Sequence, residues 1–245
     1  SGNTHRIAAI ALASIPYAEI QKINSLFSLS QTDPEEIRIL YTKKSKGEFK
    51  YTDLRNAFRQ TQLQVYDNFL REKLNEISKL NIQVYLSVFP NADDNEERLK
   101  RLVREAEDLF HKWAHQNQEA AFSSELEINA DQQMFPEKYL FQYYLRRGRY
   151  VCSLFPLRFL KEEKTKKIYS DRENAIEIKD PNSKSIKSIQ LSDILVGCAR
   201  EKFATNVTDY FELIKPLFKK EHMRIQLDSY EYSKRGFINF KKLDE

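Results

Sequence analysis

The sequence predicts an α/β protein, with a mixed β-sheet flanked by helices and an extra layer or insertion of long helices. Three observations lead there. Two apolar runs, at 6–15 and 82–89, read as buried strands. Two long stretches, about 52–80 and 96–118, carry apolar residues at helical spacing. Strands and helices alternate along the chain, which builds layered sheets rather than bundles or sandwiches. The 245 residues suit one large domain or a core with an insertion. No linker divides 1–245, and the long helices over about 52–121 form the elaboration.

The elements follow in order. Residues 6–15 form an apolar strand closed by Pro16. Ile20, Ile23, Leu26 and Phe27 mark a helix over 17–29, entered at Pro16. Ile37 to Tyr41 reads as a second strand, followed by a polar loop through Gly47. Leu54, Phe58, Val65, Phe69, Leu74 and Ile77 predict one long helix over 52–80. The strand at 82–89 ends at Pro90. Leu99, Leu102, Val103, Ala106, Leu109, Phe110 and Trp113 share a face of the helix from Glu96 to Gln118. Glu137 to Arg147 reads as an aromatic helix, and Arg149 to Leu157 as strand or loop. Short strands are expected at 167–169 and 175–179. Helices are expected at 186–203 and at 208–219, the second bent at Pro216. The tail from Met223 to Phe240 reads as a strand or hairpin turning at Gly236.

Composition removes several function classes. With 41% apolar residues the chain has material for a core, so global disorder is excluded. Five glycines leave no dinucleotide fingerprint and no P-loop. No Gly-x-Ser-x-Gly elbow is present. No run approaches the roughly 18 apolar residues of a membrane span, and no signal-peptide pattern opens the chain, so no membrane partner is expected. Cys152 and Cys198 make no disulfide framework and read as buried or free thiols of a cytoplasmic protein. A net charge of +4 does not by itself announce nucleic acid.

His111 and His115 lie four apart on one helix, with Asp108 and Glu119 nearby. Two imidazoles at that spacing can share a metal, but a solvated helix face is the competing reading. Carboxylates carry more. Asp193 sits beside Leu191, Ile194 and Leu195 near the start of an apolar helix. An ionised Asp beside a buried face needs a hydrogen bond, a counter-charge or a cation; the competing reading is favourable interaction with the helix dipole. Asp171 stands where a short strand ends, a place that also suits a turn Asp. Glu48 and Lys50 follow a Gly-containing loop, where a solvated ion pair is the plainer reading.

Taken together, these segments resemble the domain-of-unknown-function 3800 family. Ser188-Ile-Gln-Leu-Ser-Asp-Ile-Leu-Val-Gly197 resembles its Gln-Leu-Ala-Asp-Leu helix, Glu48-Phe-Lys-Tyr-Thr-Asp-Leu54 its Glu-x-Lys segment, and Tyr169-Ser-Asp-Arg172 its later strand-end Asp motif. The resemblance runs in order over nearly the whole chain. It implies a ribonuclease H-like fold and a metal-dependent nuclease in which acids from separate elements converge on divalent cations, Mg²⁺ or Mn²⁺. It assigns Glu48, Asp171 and Asp193 as catalytic metal ligands and gives Lys50 a phosphate or a positioning role beside Glu48. The family opens with Asp-Glu-Ser-Gly on its first strand. Here the chain begins Ser1-Gly2-Asn3, read either as the end of that motif or as an added remnant, so the opening Asp has no counterpart in this sequence.

The chemistry is consistent with that pattern. Phosphodiester hydrolysis needs an activated water and a stabilised leaving oxyanion, and divalent ions held by oxygen ligands supply both. A nuclease must also hold a phosphate backbone. From Tyr139 to Lys167 the chain interleaves Arg146, Arg147, Arg149 and further basic residues with Tyr143, Tyr144, Tyr150 and Phe155. Such a segment suits DNA or RNA, against the alternative of a solvated basic face over core aromatics. Two other functions remain in view. One is a catalytically inactive nucleic-acid- or partner-binding module on the same scaffold. The other is a small-molecule enzyme using the carboxylates for acid–base catalysis.

Overall fold

The computed structural model describes residues 7–92, 94–123, 125–131, 134–135, 137–157, 174–179, 184–205, 207 and 209–226. The elements are β1 (Ile7–Ser14), α1 (Tyr17–Leu26), α2 (Glu35–Ile39), α3 (Tyr51–Thr61), α4 (Gln64–Ile77), β2 (Gln83–Pro90), α5 (Asn95–Gln116) and α6 (Gln118–Ala121). Then come β3 (Tyr139–Arg146), β4 (Arg149–Pro156), β5 (Asn174–Glu177), α7 (Lys187–Thr205), α8 (Asp209–Ile214) and β6 (Met223–Ile225).

The strands form two three-stranded sheets rather than one. In the first, β1 runs antiparallel to β2, from Ile7↔Pro90 to Ser14↔Gln83, and β6 adds parallel to β2. In the second, β3 is central and antiparallel to both β4 and β5. The protein is thus mixed α/β. Its first sheet is mixed, as expected, and its second is wholly antiparallel.

Strand β2 shows how the layers arise. Val84, Leu86 and Val88 point to a core shared with α1, α3, α4, α7 and α8. Tyr85 and Phe89 point the other way, to a core shared with α5 and the second sheet. Both faces are covered, so the strand reads as a continuous apolar run instead of an alternating one. Helix α5 lies between the sheets, with Ala106, Leu109, Trp113 and Ala114 in the second core beside Phe141, Tyr143 and Leu154.

Strands β1 and β2 and helices α1, α5 and α7 stand where the sequence places them. Several other expectations are corrected. The expected strand at 37–41 is helical, α2 passing into a π-helical turn at Leu40–Lys44. Pro34 precedes it, Glu35 and Glu36 fill its first turn, and the buried pair Ile37 and Leu40 lies three residues apart, a helical face. The single helix expected over 52–80 is two. Gln62 takes a left-handed conformation, φ 58°, and its N–H closes α3 on the Phe58 carbonyl at 2.7 Å. The aromatic helix expected at 137–147 is strand β3. Both of its faces are buried around Phe141, Gln142 and Tyr143, which hides the period-two pattern.

The open reading of 149–157 resolves as strand β4. The helix expected at 208–219 stops at Ile214, and a 3₁₀ turn carries the chain through Pro216, which lacks the N–H a helix needs. The expected strand at 175–179 is β5 with a bridge from Lys179 to Asn129. The tail begins as the short strand β6; residues 227–240 of that reading, and the strand expected at 167–169, lie outside the described residues.

Candidate functional site

Helix α7 presents one stripe of side chains to the segment 48–55. Gln190, Asp193, Gly197 and Glu201 are spaced three, four and four residues apart, so they stack along a single helix face. Gln190 Oε1 accepts the Phe49 N–H at 3.0 Å, and Asp193 Oδ2 accepts the Tyr51 N–H at 3.2 Å. Tyr51 is the first residue of α3, whose opening N–H groups lack partners within the helix. Lys50, at the cap position, supplies no side-chain cap. Asp193 therefore caps α3 from across the interface and sets its negative charge at the positive end of that helix.

The stripe continues with a contact of shape. The Tyr51 ring lies directly on Gly197, and a Cβ there would collide with it. One turn on, Glu201 accepts hydrogen bonds from the Tyr51 hydroxyl, from Arg55 Nε at 3.0 Å and Nη2 at 2.7 Å, and from Arg59 Nη2 at 2.7 Å. Burial pushes the Glu201 carboxyl up. The hydrogen bonds from Arg55 and Tyr51 and the charges of Arg55 and Arg59 outweigh that and hold it below the usual glutamate range.

Glu48 arrives by a tight turn. Lys46 and Gly47 both have positive φ, 51° and 90°, and the Gly47 N–H bonds the Tyr41 carbonyl at 2.8 Å. Glu48 is then buried, 5% exposed, and its Oε2 meets Lys50 Nζ at 3.0 Å. That hydrogen bond raises the Lys50 pKa; burial opposes it, and the charges of Glu48, Asp53 and Asp193 add to it. Lys50 is therefore held charged in the field of Glu48 and Asp193 together.

Asp193 is an exposed residue of α7 whose carboxylate reaches the Tyr51 N–H. Loss of solvation pushes its carboxyl above the usual aspartate range. The Tyr51 N–H opposes this, the charge of Asp131 reinforces it, and Lys50 and Arg200 pull it back. Asp131 reaches this neighbourhood just beyond the 129–130 segment, where the Ala130 N–H bonds the Lys179 carbonyl at 2.8 Å.

Of the residues singled out in the sequence, Glu48, Lys50 and Asp193 share one neighbourhood. Asp171 lies outside the described residues. Arg146, Arg147 and Arg149 are exposed at the tip of the β3–β4 hairpin, carried by the second sheet. Sequence reasoning missed Asp131, Gln190, Gly197 and Glu201 as parts of this site. The offsets of three, seven and eleven residues from Gln190 are the signal that could have found the stripe; Asp131, in a polar loop, carries none.

The histidine pair belongs to packing. The rings of His111 and His115 meet edge to face at 4.3 Å, and His115 Nε2 lies 3.0 Å from the Tyr150 carbonyl. Burial, then the charge of His115, lowers the His111 pKa. Among the described residues, no three His, Cys, Asp or Glu side chains are gathered closely enough to hold one metal ion. Cys152 and Cys198 are buried and unpaired, and burial pushes both thiols up, away from reactive thiolate.

No helix among the described residues is long and apolar enough to cross a membrane. Compared with protein-family models, with curated proteins and with solved structures, the chain matches none. The donor set at 48–51 and 193 fits a hard divalent cation in type. Its side-chain donors are the carboxylate oxygens of Glu48 and Asp193, the ligand type hard cations take.

Proposed function

We propose that the chain is a divalent-metal-dependent nuclease of the ribonuclease H-like type, hydrolysing phosphodiester bonds in DNA or RNA with Mg²⁺ or Mn²⁺. One observation supports the reading: Lys50 pairs with Glu48 and feels the charge of Asp193, which is far away in sequence and accepts the neighbouring Tyr51 N–H. Glu48 and Asp193 would hold the ion. Asp171 joins them by resemblance, and Asp131 by its charge beside Asp193. A bound divalent ion supplies a polarised phosphoryl oxygen and a more acidic water.

The chain's own residues do the rest. Lys50, held charged by Glu48, offers an ammonium to a non-bridging phosphate oxygen. Gln190 and Asp193 fix the backbone of residues 49–51, so the Glu48 and Lys50 side chains leave a rigid base. Asp193→Asn tests the assignment, because its amide oxygen can still accept the Tyr51 N–H while the negative charge is lost. With Mg²⁺ or Mn²⁺, cleavage of labelled DNA and RNA should fall by more than about 100-fold, the upper end of what even outer-shell changes cost a metal site. Undiminished cleavage by a folded Asp193→Asn protein ends the assignment.

A second reading is a catalytically inactive nucleic-acid-binding module on the same scaffold. It is favoured by the use of Gln190 and Asp193 as acceptors for backbone N–H groups, a purely structural employment. It predicts salt-sensitive binding without turnover by the unmutated protein.

A further inference from the structure

The β3–β4 hairpin ends in a turn that looks unfavourable when considered alone. Its two central residues, Arg147 and Gly148, both have positive φ, 50° and 72°. A two-residue hairpin turn of this kind favours Asn-Gly or Gly-Gly, because only small or locally hydrogen-bonding residues take the first position without strain. An arginine occupies it here. The next pair inward is Arg146↔Arg149, like charges directly across the ladder, an arrangement that destabilises a hairpin. None of the three guanidiniums is joined to a carboxylate among the described residues, whereas Arg55, Arg59, Arg71 and Arg224 all are.

Left-handed strain falls on Arg147, cross-strand repulsion on Arg146 and Arg149, and the lack of a carboxylate partner among the described residues on all three. A polyanion bound at the tip would relieve the repulsion and supply the counter-charge. We infer that Arg146, Arg147 and Arg149 form a nucleic-acid docking tip that binds the phosphate backbone irrespective of sequence.

The chemistry favours phosphates over other anions. All three cations are arginines, whose planar fork suits phosphate oxygens. The tip offers little apolar area, with Leu145 its one exposed large apolar residue among those described. A peptide or a lipid surface would need more such area to seat. Tyr144 lies on the same strand face as Arg146, at the two-residue period of β3, which places an aromatic ring beside the cations. The hairpin itself is firmly based. Tyr143 and Tyr150 stack at 5.2 Å, and Phe122 packs on both. The tip therefore projects from a rigid stem, which lowers the entropy lost on binding.

This inference stands apart from the metal reading and is tested without it. Fluorescence anisotropy of a labelled oligonucleotide, single-stranded and duplex, is measured in EDTA with the full-length Asp193→Asn protein, across a salt series. The triple change R146Q/R147Q/R149Q in that background should weaken binding at least 10-fold. It should also flatten the dependence of log Kd on log salt by about 2, since each phosphate contact on a single strand contributes roughly 0.7. Arg147→Gly should weaken binding several-fold while its melting temperature stays equal or rises, an opposition that a merely structural arginine would not produce. Unchanged affinity and salt slope in the triple variant, its fold verified by circular dichroism, overturns the inference. So does tighter retention on phosphatidylserine vesicles or on polyglutamate than on the oligonucleotide.

Discussion

Two arginine-rich regions of this molecule treat charge in opposite ways. Along α7, Arg55 and Arg59 converge on the buried Glu201, the Tyr51 hydroxyl completes the set, and each carboxylate oxygen of Glu201 is used. At the hairpin tip Arg146, Arg147 and Arg149 are exposed and have no carboxylate partner among the described residues. The difference follows from what each region must do. A buried charge without partners costs several kcal/mol, so the first region is saturated from within. An exposed guanidinium stays hydrated at little cost, so the second can leave its bonds to a partner.

The comparison predicts a graded set of effects on stability. The largest comes from Glu201→Ala, which strands Arg55 in the interior. It should cost about 3–5 kcal/mol in urea unfolding. If the cost stays below about 1 kcal/mol, Glu201 is not the centre of the network.

Acid should reveal the same residue. Its carboxyl is held below the ordinary glutamate value of 4.5, so its contribution is fully present above that pH and is lost as pH falls through the folded value. Glu201→Gln should flatten the stability–pH curve in that acid window and leave its shape near neutrality unchanged. Tyr51→Phe removes only a hydroxyl bonded to a charged group and should cost about 1.5–3 kcal/mol. Gly197→Ala should cost about 1–3 kcal/mol by displacing the Tyr51 ring, and should shift the Tyr51 amide resonance as the Asp193 cap loosens. At the small end, Arg147→Gly removes left-handed strain and should change stability by no more than about 1 kcal/mol, in the favourable direction.

How much of this was legible in the sequence depends on whether a signal is local. The apolar runs of β1 and β2 and the long face of α5 are local, and they read directly. The 37–41 segment misled because four apolar residues in five fit a strand as well as a helix, and only the buried pair Ile37 and Leu40 decides between them. Strand β3 misled for a different reason. Both of its faces are covered, so the alternation that would mark it is absent.

At the site, Glu48, Lys50 and Asp193 stood out as charges in unusual company, and the family resemblance grouped Glu48 and Asp193 with Asp171, which lies outside the described residues. That Asp193 reaches the segment next to Glu48 depends on α7 packing across α3, a tertiary fact that no spacing encodes. Gln190 shows the limit. It stands in the same quoted segment as Asp193, yet a neutral amide gives no electrostatic reason for attention until its bond to the Phe49 N–H is seen. Asp131 was invisible for a different reason, since nothing local tells that its charge acts on Asp193.

We propose Glu48 and Asp193 as part of the seat for a hard cation. Titration of Mn²⁺ followed by electron paramagnetic resonance tests it in the wild type, Glu48→Gln and Asp193→Asn, each verified as folded. Saturable binding by the wild type, weakened at least about 10-fold by either change, is the expected result. Equal Mn²⁺ affinity in all three proteins, or no binding by the wild type, contradicts it.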